Sequence, residues 1–391
     1  MDVIVGAGVV GLSVAWRLAR DGRPVTLVDP APASGASHAA AGMLAPVSEV
    51  SYTEAPLLRL GAASLRRWPG FAAELAADAG LPGAEALDLR SDGTLDVAFG
   101  ADDLAALDEL AAYMEKLELP VERLSGRECR RLEPMLAPSV RGGLLAPGDA
   151  WVDPRRVTAA LLAALDRLGV PLVRARVGEL LRDGGGRVTG VRLEPPGGET
   201  PSQTPSQTPS PAASAEPGGR ASEIRAERVV LAAGAWSAGL AEVPVRPVKG
   251  QIMRLRSPQP LLTRCVRGTV HGTPVYLVPR GDGELVVGAT QEEMGFDTRV
   301  TAGGLYELLR DARELVPGVT ELEVADVVAG LRPGTPDNLP VIGPSGTPGL
   351  ALATGHHRGG VLLAPLTADI LRGEEGELAA LCAPGRFREI S

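Results

Sequence analysis

The sequence predicts an α/β protein in which a layer built on a parallel βαβ unit carries a β-meander and adjoins an α+β layer with its own sheet. Three observations predict it: a strand, glycine turn, helix and strand over residues 2 to 29, short β-like runs from about 171 to 232, and a second β-rich stretch from 248 to 288. With 391 residues, 45% of them apolar, the chain can bury the cores that two such layers need.

In order along the chain, Val3 to Val5 is an apolar strand, Val10, Val14 and Leu18 recur at helical spacing, and Val25 to Val28 is apolar again. Helical patterns follow at about 55 to 79 and at 102 to 117, where Leu104, Leu107, Leu110 and Met114 mark one face; both are expected in a separate layer. Asp153-Pro154 starts a helix to about 168, because proline's missing N–H is harmless in a first turn. Leu172-Val173, Val188 to Leu193 and Val229 to Leu231 read as meander strands returning to the first sheet. A helix at 301 to 315 and a strand near 323 to 329 precede a final β-loop-helix segment at 350 to 372. Residues 195 to 220 differ in kind: Pro-Ser-Gln-Thr repeats have almost nothing to bury, which predicts a disordered insert between two meander strands.

Gly6-Ala7-Gly8-Val9-Val10-Gly11 lies between the first strand and the first helix. In that context the glycines permit a tight turn, close approach of a pyrophosphate and close helix packing, and the helix N-terminus faces the phosphates. Asp29 ends the second strand 18 residues after Gly11, where a carboxylate can accept from adenosine ribose hydroxyls. The first layer is therefore Rossmann-like. Whether the dinucleotide is FAD or NAD is not decided by this motif.

Composition excludes several classes. Thirty-nine basic against 48 acidic side chains give a net charge of −9, without the basic patch that nucleic acid or an anionic membrane requires. Cys129, Cys265 and Cys382 offer neither a metal pattern nor a disulfide framework. The adjacent His356 and His357 lack spaced partners, so no metal site is expected. No apolar run approaches the roughly 18 residues of a membrane span. The opening strand leaves no room for a leader, and a cytoplasmic protein is expected.

Three further segments carry a resemblance: Ser37-His38-Ala39-Ala40-Ala41-Gly42-Met43-Leu44-Ala45-Pro46, Gly330-Leu331-Arg332-Pro333-Gly334-Thr335, and the run from Gly355 through His356, His357, Arg358, Gly359 and Gly360 to Pro365. With the first glycine motif they resemble the glycine oxidase family of thiamine biosynthesis, a branch of the glycine/D-amino-acid oxidases, over the whole chain except the insert. The resemblance implies noncovalent FAD, a β-sheet of the substrate domain over the flavin ring, O2 as electron acceptor and a homotetramer. It divides the chain into an FAD-binding part (1–50, 140–240 and 328–391, with an insert at about 195–222) and a substrate-binding part (51–139 and 241–327). By the same resemblance Gly6, Gly8, Val9, Val10, Gly11 and Asp29, then Ser37, His38, Ala41, Gly42 and Met43, and finally His356, His357, Arg358, Gly359, Gly360, Val361 and Leu362 line the cofactor, with Val177 on its adenine side. His38 stands where the family commonly has a small hydroxyl residue, so it need not make the same contact.

Flavin oxidation of an amino acid needs a neutral amine, a Cα–H aimed at the ring and stabilisation of the charge that develops; no acid–base residue is strictly required. Arg332 can grip a substrate carboxylate through two hydrogen bonds, Tyr276 can add a phenol from the substrate sheet, and Arg358 can reach both substrate and flavin. The expected reaction takes glycine, sarcosine and small D-amino acids to imines with formation of hydrogen peroxide, glycine imine feeding the thiazole of thiamine. Open alternatives are a sarcosine or D-amino-acid oxidase with a different pocket, a dehydrogenase that avoids O2, and a non-catalytic flavoprotein scaffold, against which Arg332 and Tyr276 argue.

Overall fold

The computed structural model describes residues 1–195, 222–270, 272–374 and 376–390. Asp2–Val5 is buried along its whole length and pairs in parallel with Val25–Val28 on one side and Arg228–Leu231 on the other. A strand buried on both faces is expected to be continuously apolar, as this one is after Asp2. Leu172–Val173 extends the sheet at one edge, and Leu350–Thr354 followed by the antiparallel Val341–Pro344 extends it at the other, giving six strands. The helices Val9–Arg20, Pro154–Arg167 and Ala364–Arg372 share a core through Leu12, Trp16, Leu161 and Leu366. The meander Val177–Arg182, Val188–Leu193 and Glu223–Arg225 contributes Val177, Val188 and Val191 to a second core with Val3, Val5 and Val229.

The helical stretch at 55 to 79 is two helices, Ala55–Leu65 and Trp68–Ala79, and their position departs from the expectation of a separate layer. They pack on the first core: Phe71 lies edge-on to Trp16 with ring centroids 5.0 Å apart, and Trp16 Nε1 donates to Asp78 Oδ2 across 2.8 Å. Periodicity identifies an apolar face but not the core that receives it, and here three large aromatic side chains, Trp16, Trp68 and Phe71, bury one another. The Ala101–Lys116 helix does join the other layer, where Ala111 and Met114 pack with Leu144.

That layer is an eight-stranded sheet, in the spatial order Glu323–Gly334, Arg246–Arg256, Glu284–Gly288, Thr273–Pro279, Cys265–Val270, Thr94–Ala98, Gly142–Ala146 and Glu122–Ser125. The last three strands lie outside the β-rich stretches that the sequence marks. One face is covered by the Ala302–Leu315 helix, with Leu308, Ala312 and Leu315 against Met253, Val266 and Leu277. Thr301 starts that helix by accepting from Gly304 N. The Glu323–Gly334 strand runs past the expected end at 329, Arg332 pairing with Val248 and Pro333 with Pro247. Proline is tolerated there because the strand is at the sheet edge, where a missing donor breaks no ladder.

Most of the Pro-Ser-Gln-Thr insert lies outside the described residues. Its described flanks pair directly, Arg192 opposite Glu223 and Gly190 opposite Arg225. Among the described residues no helix is long and apolar enough to cross a membrane.

Candidate active site

A cavity of about 2380 Å³ runs from the first glycine turn, between the two sheets, to the inner face of the eight-stranded one. At its first end Gly6 has φ +105°, and a Cβ there would stand 2.7 Å from Ala232 C, so only glycine permits this turn beside the returning strand. Val9 N, at the start of the first helix, donates to Ser37 Oγ over 2.9 Å. Asp29 holds the opposite wall, with Oδ2 accepting from Ala7 N at 2.6 Å and Oδ1 from Ala31 N at 2.7 Å. A carboxylate has about four lone-pair sites, so acceptor capacity remains for hydroxyl groups in the cavity.

The small-residue run is clamped between the layers. Gly42 has φ +82°, and a Cβ there would stand 2.7 Å from Pro154 Cδ, so the backbone sits flush on the start of that helix. Arg280, almost fully buried, donates to the carbonyls of Val152 and Ala41. Gly330 lets the short Ala36–Ala39 helix lie on its strand, where a Cβ would stand 2.8 Å from Ala39 Cβ. Met43 Sδ lies 3.6 Å from Cys265 Sγ on the facing sheet. His38 faces the cavity half-buried; burial, then Arg155, lowers its pKa, favouring the neutral ring.

At the far end a row of residues in register crosses the eight-stranded sheet: Asp96, Arg267, Tyr276 and Gly288. Two glycines make room for the polar groups. A Cβ at Gly288 would stand 2.5 Å from Tyr276 Oη, and one at Gly250 would stand 2.6 Å from Arg332 Cζ. The Arg332 guanidinium donates to the carbonyl of Thr290 at 3.1 Å and of Lys249 at 3.4 Å. Burial pushes the Tyr276 phenol up to about 12 against the opposing charge of Arg332, so it keeps its proton and can donate. Arg358 is ion-paired to Glu54, whose other oxygen accepts from Asn338 Nδ2 at 2.7 Å.

Five arginines line the cavity: Arg176, Arg267, Arg299, Arg332 and Arg358. Four have a carboxylate within ion-pair distance, respectively Glu194, Asp96, Asp297 and Glu54 for Arg176, Arg267, Arg299 and Arg358. Among the described residues Arg332 has none. A half-buried cation without an anion attracts one from solution.

The model of the FAD dependent oxidoreductase family matches residues 3–373. The chain belongs to that family. It is 33% identical over 385 residues to a glycine oxidase of Geobacillus kaustophilus, covering 95% of this chain and 93% of that one. The crystal structure of glycine oxidase from that organism superposes with a TM-score of 0.83 at 32% identity, over 98% of each chain. The bifunctional protein ThiO/ThiG of a Nostoc species is 33% identical over 371 residues, which are 94% of this chain and 51% of that protein. The chain thus spans about half the length of such bifunctional relatives and nearly the whole of the glycine oxidase.

FAD is the cofactor of this family, and the cavity fits it: it is elongated, it begins at the open N-terminus of the first helix, and it passes along backbone that Gly6 and Gly42 keep clear of Cβ atoms. Gly8, Val9, Val10, Ser37, Ala41 and Val177 lie on its wall, as does the end formed by His357, Arg358, Gly360 and Val361.

Several anticipated residues also make contacts within the fold. Gly11 packs against the Gly6 backbone. Gly359 packs on Leu363, while Leu362 turns its carbonyl to Ser64 Oγ and Trp68 Nε1. His356 borders the cavity but turns its ring inward, where Nε2 lies 2.9 Å from Thr367 Oγ1 and burial lowers its pKa to about 3. The final helix begins only at Ala364, so the 355–360 segment is a separate turn before it. Residues missed by sequence reasoning are Gly250 and Gly288, Arg267 and Asp96, and Asp149, which accepts from Val47 N and Ser48 N and so fixes the loop bearing Glu49. Gly288 opposite Tyr276, and Gly250 beneath the Arg332 guanidinium, become informative only once the pairing is known.

Proposed function

We propose that this chain oxidises glycine, and with it sarcosine and small D-amino acids, to the imine or the oxo acid it hydrolyses to, with O2 reduced to hydrogen peroxide. The single observation that carries the reading is Arg332, the cavity arginine without a carboxylate partner among the described residues, with the protonated Tyr276 phenol beside it. A guanidinium and a phenol together fix one carboxylate in orientation, which leaves the adjacent Cα–H in a defined place.

FAD, when bound noncovalently, supplies the two-electron oxidation. The residues of this chain bind and orient. Gly6, Gly8, Val9 and Asp29 serve the dinucleotide end, the run from Ser37 to Met43 the middle, and the turn from His357 to Val361 the end nearest Arg332. A division along the two sheets would carry residues 142–146 and 328–334 to the substrate-binding side and the helices at 55–79 to the FAD-binding side. The names of the glycine oxidase and ThiO/ThiG relatives support glycine as substrate and supply of its imine to thiamine thiazole formation; assembly as a homotetramer belongs to the same proposal.

The test is peroxide production by the purified yellow protein with glycine, sarcosine and D-alanine, with flavin bleaching followed anaerobically. Bleaching with peroxide supports the oxidase. Bleaching without peroxide points to a dehydrogenase, and no bleaching by any of the three overturns the reading.

A further inference from the structure

Around the Tyr276 end of the cavity stand three guanidinium groups and three carboxylates. Arg267 Nε lies 3.3 Å from Asp96 Oδ2, and Arg358 is paired with Glu54. Removing these two pairs leaves one cation, Arg332, and one anion, Glu49. The Glu49 carboxylate lies between the two paired arginines, 4.0 Å from Arg267 Nη1 and 3.9 Å from Arg358 Nε. Both separations exceed a direct hydrogen bond. Among the described residues no hydrogen bond reaches this carboxylate, and Arg267 Nη1, buried on the cavity wall, likewise has no hydrogen-bond partner.

An amino acid at neutral pH is a zwitterion, and Arg332, without a carboxylate partner, and Glu49, without a hydrogen-bond donor, are its complement. We propose that Glu49 receives the ammonium group of the substrate and takes its proton. This inference rests on the amino-acid oxidase reading and adds a residue to it. One N–H bond breaks, the proton goes to a Glu49 oxygen, and the electron pair remains on nitrogen. That pair is then available to form the C=N bond, the two-electron oxidation at Cα being the chemistry that FAD would supply when bound. A charged amine has no pair to give, so the proton transfer precedes oxidation.

The loop bearing Glu49 is fixed for this task. Asp149, pushed up to about 6 by burial, accepts from Val47 N at 3.2 Å and Ser48 N at 3.0 Å. The charged and titratable groups facing Glu49 are Arg358 from the 357–359 turn, Arg267 and Cys265 from one strand, Tyr276 and Asp96 from its neighbours, and Asp149 from the loop beside it.

The experiment is the pH profile of glycine kcat/KM on the FAD-loaded enzyme, by anaerobic flavin bleaching, for the native protein, Glu49→Gln and Glu49→Asp. The native enzyme draws on the abundant zwitterion and gives a plateau through neutral pH. E49Q is restricted to the rare free amine, so its kcat/KM rises about tenfold per pH unit toward the titration of the amine itself. At pH 7 it lies at least about tenfold below the native enzyme, and E49D restores the plateau. A native profile that already rises tenfold per unit, or an E49Q profile parallel to the native one, overturns the proposal while leaving the oxidase intact. Absence of bleaching in the native enzyme would instead defeat the oxidase reading. As a check independent of turnover, 2-methylalanine and pivalate, equal in shape and without a Cα–H, are titrated against the flavin spectrum of each protein. E49Q should lose affinity for 2-methylalanine about tenfold or more and keep that for pivalate; equal loss of both, or of neither, counts against Glu49.

Discussion

The guanidinium of Arg332 lies over Gly250 on the neighbouring strand, in space that a side chain at that position would fill. The residue that displays the charge and the residue that leaves room for it are far apart in sequence and adjacent in the sheet. Gly250→Ala should therefore act on the arginine. The colliding atoms are the end of a flexible side chain, so the fold should tolerate the methyl while the guanidinium moves. The expected result is a KM for glycine raised roughly tenfold, of the order of one charged hydrogen bond, with flavin content and thermal midpoint near native. A large loss of stability would show that the strand cannot yield.

Removing the guanidinium itself, in Arg332→Ala, should raise KM by roughly ten- to hundredfold, the loss of about 1.5–3 kcal/mol expected for hydrogen bonds to a charged group. FAD binding should be nearly unchanged, because the dinucleotide end of the cavity uses Ser37, Val9 and Asp29. Equilibrium dialysis of flavin beside steady-state kinetics separates the two effects, and equal loss of both would refute carboxylate binding at Arg332.

Ser37 is joined to the first helix by the bond from Val9 N to its Oγ. Ser37→Ala leaves that buried amide without its partner and should cost about 1–3 kcal/mol of stability. Urea unfolding of the apoprotein reads the loss, and flavin should also dissociate more readily if, as proposed, the same turn receives the phosphates.

His356 gives a pH prediction whose sign is fixed by its burial. Its folded pKa of about 3 lies below the ordinary 6.5, so the unfolded chain binds the proton more readily. Its contribution to stability is complete above about pH 6.5 and is lost as pH falls toward 3, at a slope of up to about 1.4 kcal/mol per pH unit. His356→Gln retains a partner for Thr367 without titrating. Its unfolding free energy should fall less steeply than that of the native protein between pH 6 and about 4; identical slopes would mean that the ring is not held neutral.

The meander strands flanking the Pro-Ser-Gln-Thr tract pair from Gly190 with Arg225 to Arg192 with Glu223. Replacing residues 196 to 221 by a short turn should preserve this register, flavin content and glycine turnover. A fall in turnover without loss of flavin would assign the tract a part in catalysis.

By itself the chain determined the elements whose physics is local. The Gly6 to Gly11 turn, the helix face of Val10, Val14 and Leu18 and the acid at Asp29 announce a dinucleotide layer, because each constraint acts within a few residues. The motif around Arg332 and the run from Ser37 to Met43 were equally legible, although Gly-Leu-Arg-Pro-Gly reads as the end of a strand and is in fact its edge continuation. Tertiary structure alone decided which core received Trp68 and Phe71, that His356 faces Thr367, and that Asp96, Arg267 and Tyr276 form one row. These are matters of pairing register and helix docking, set by contacts between segments far apart in the chain. For the same reason the partnerless Arg332, and Glu49 with no donor within hydrogen-bond distance, emerge only after the chain folds: every other charge around them must first find its partner.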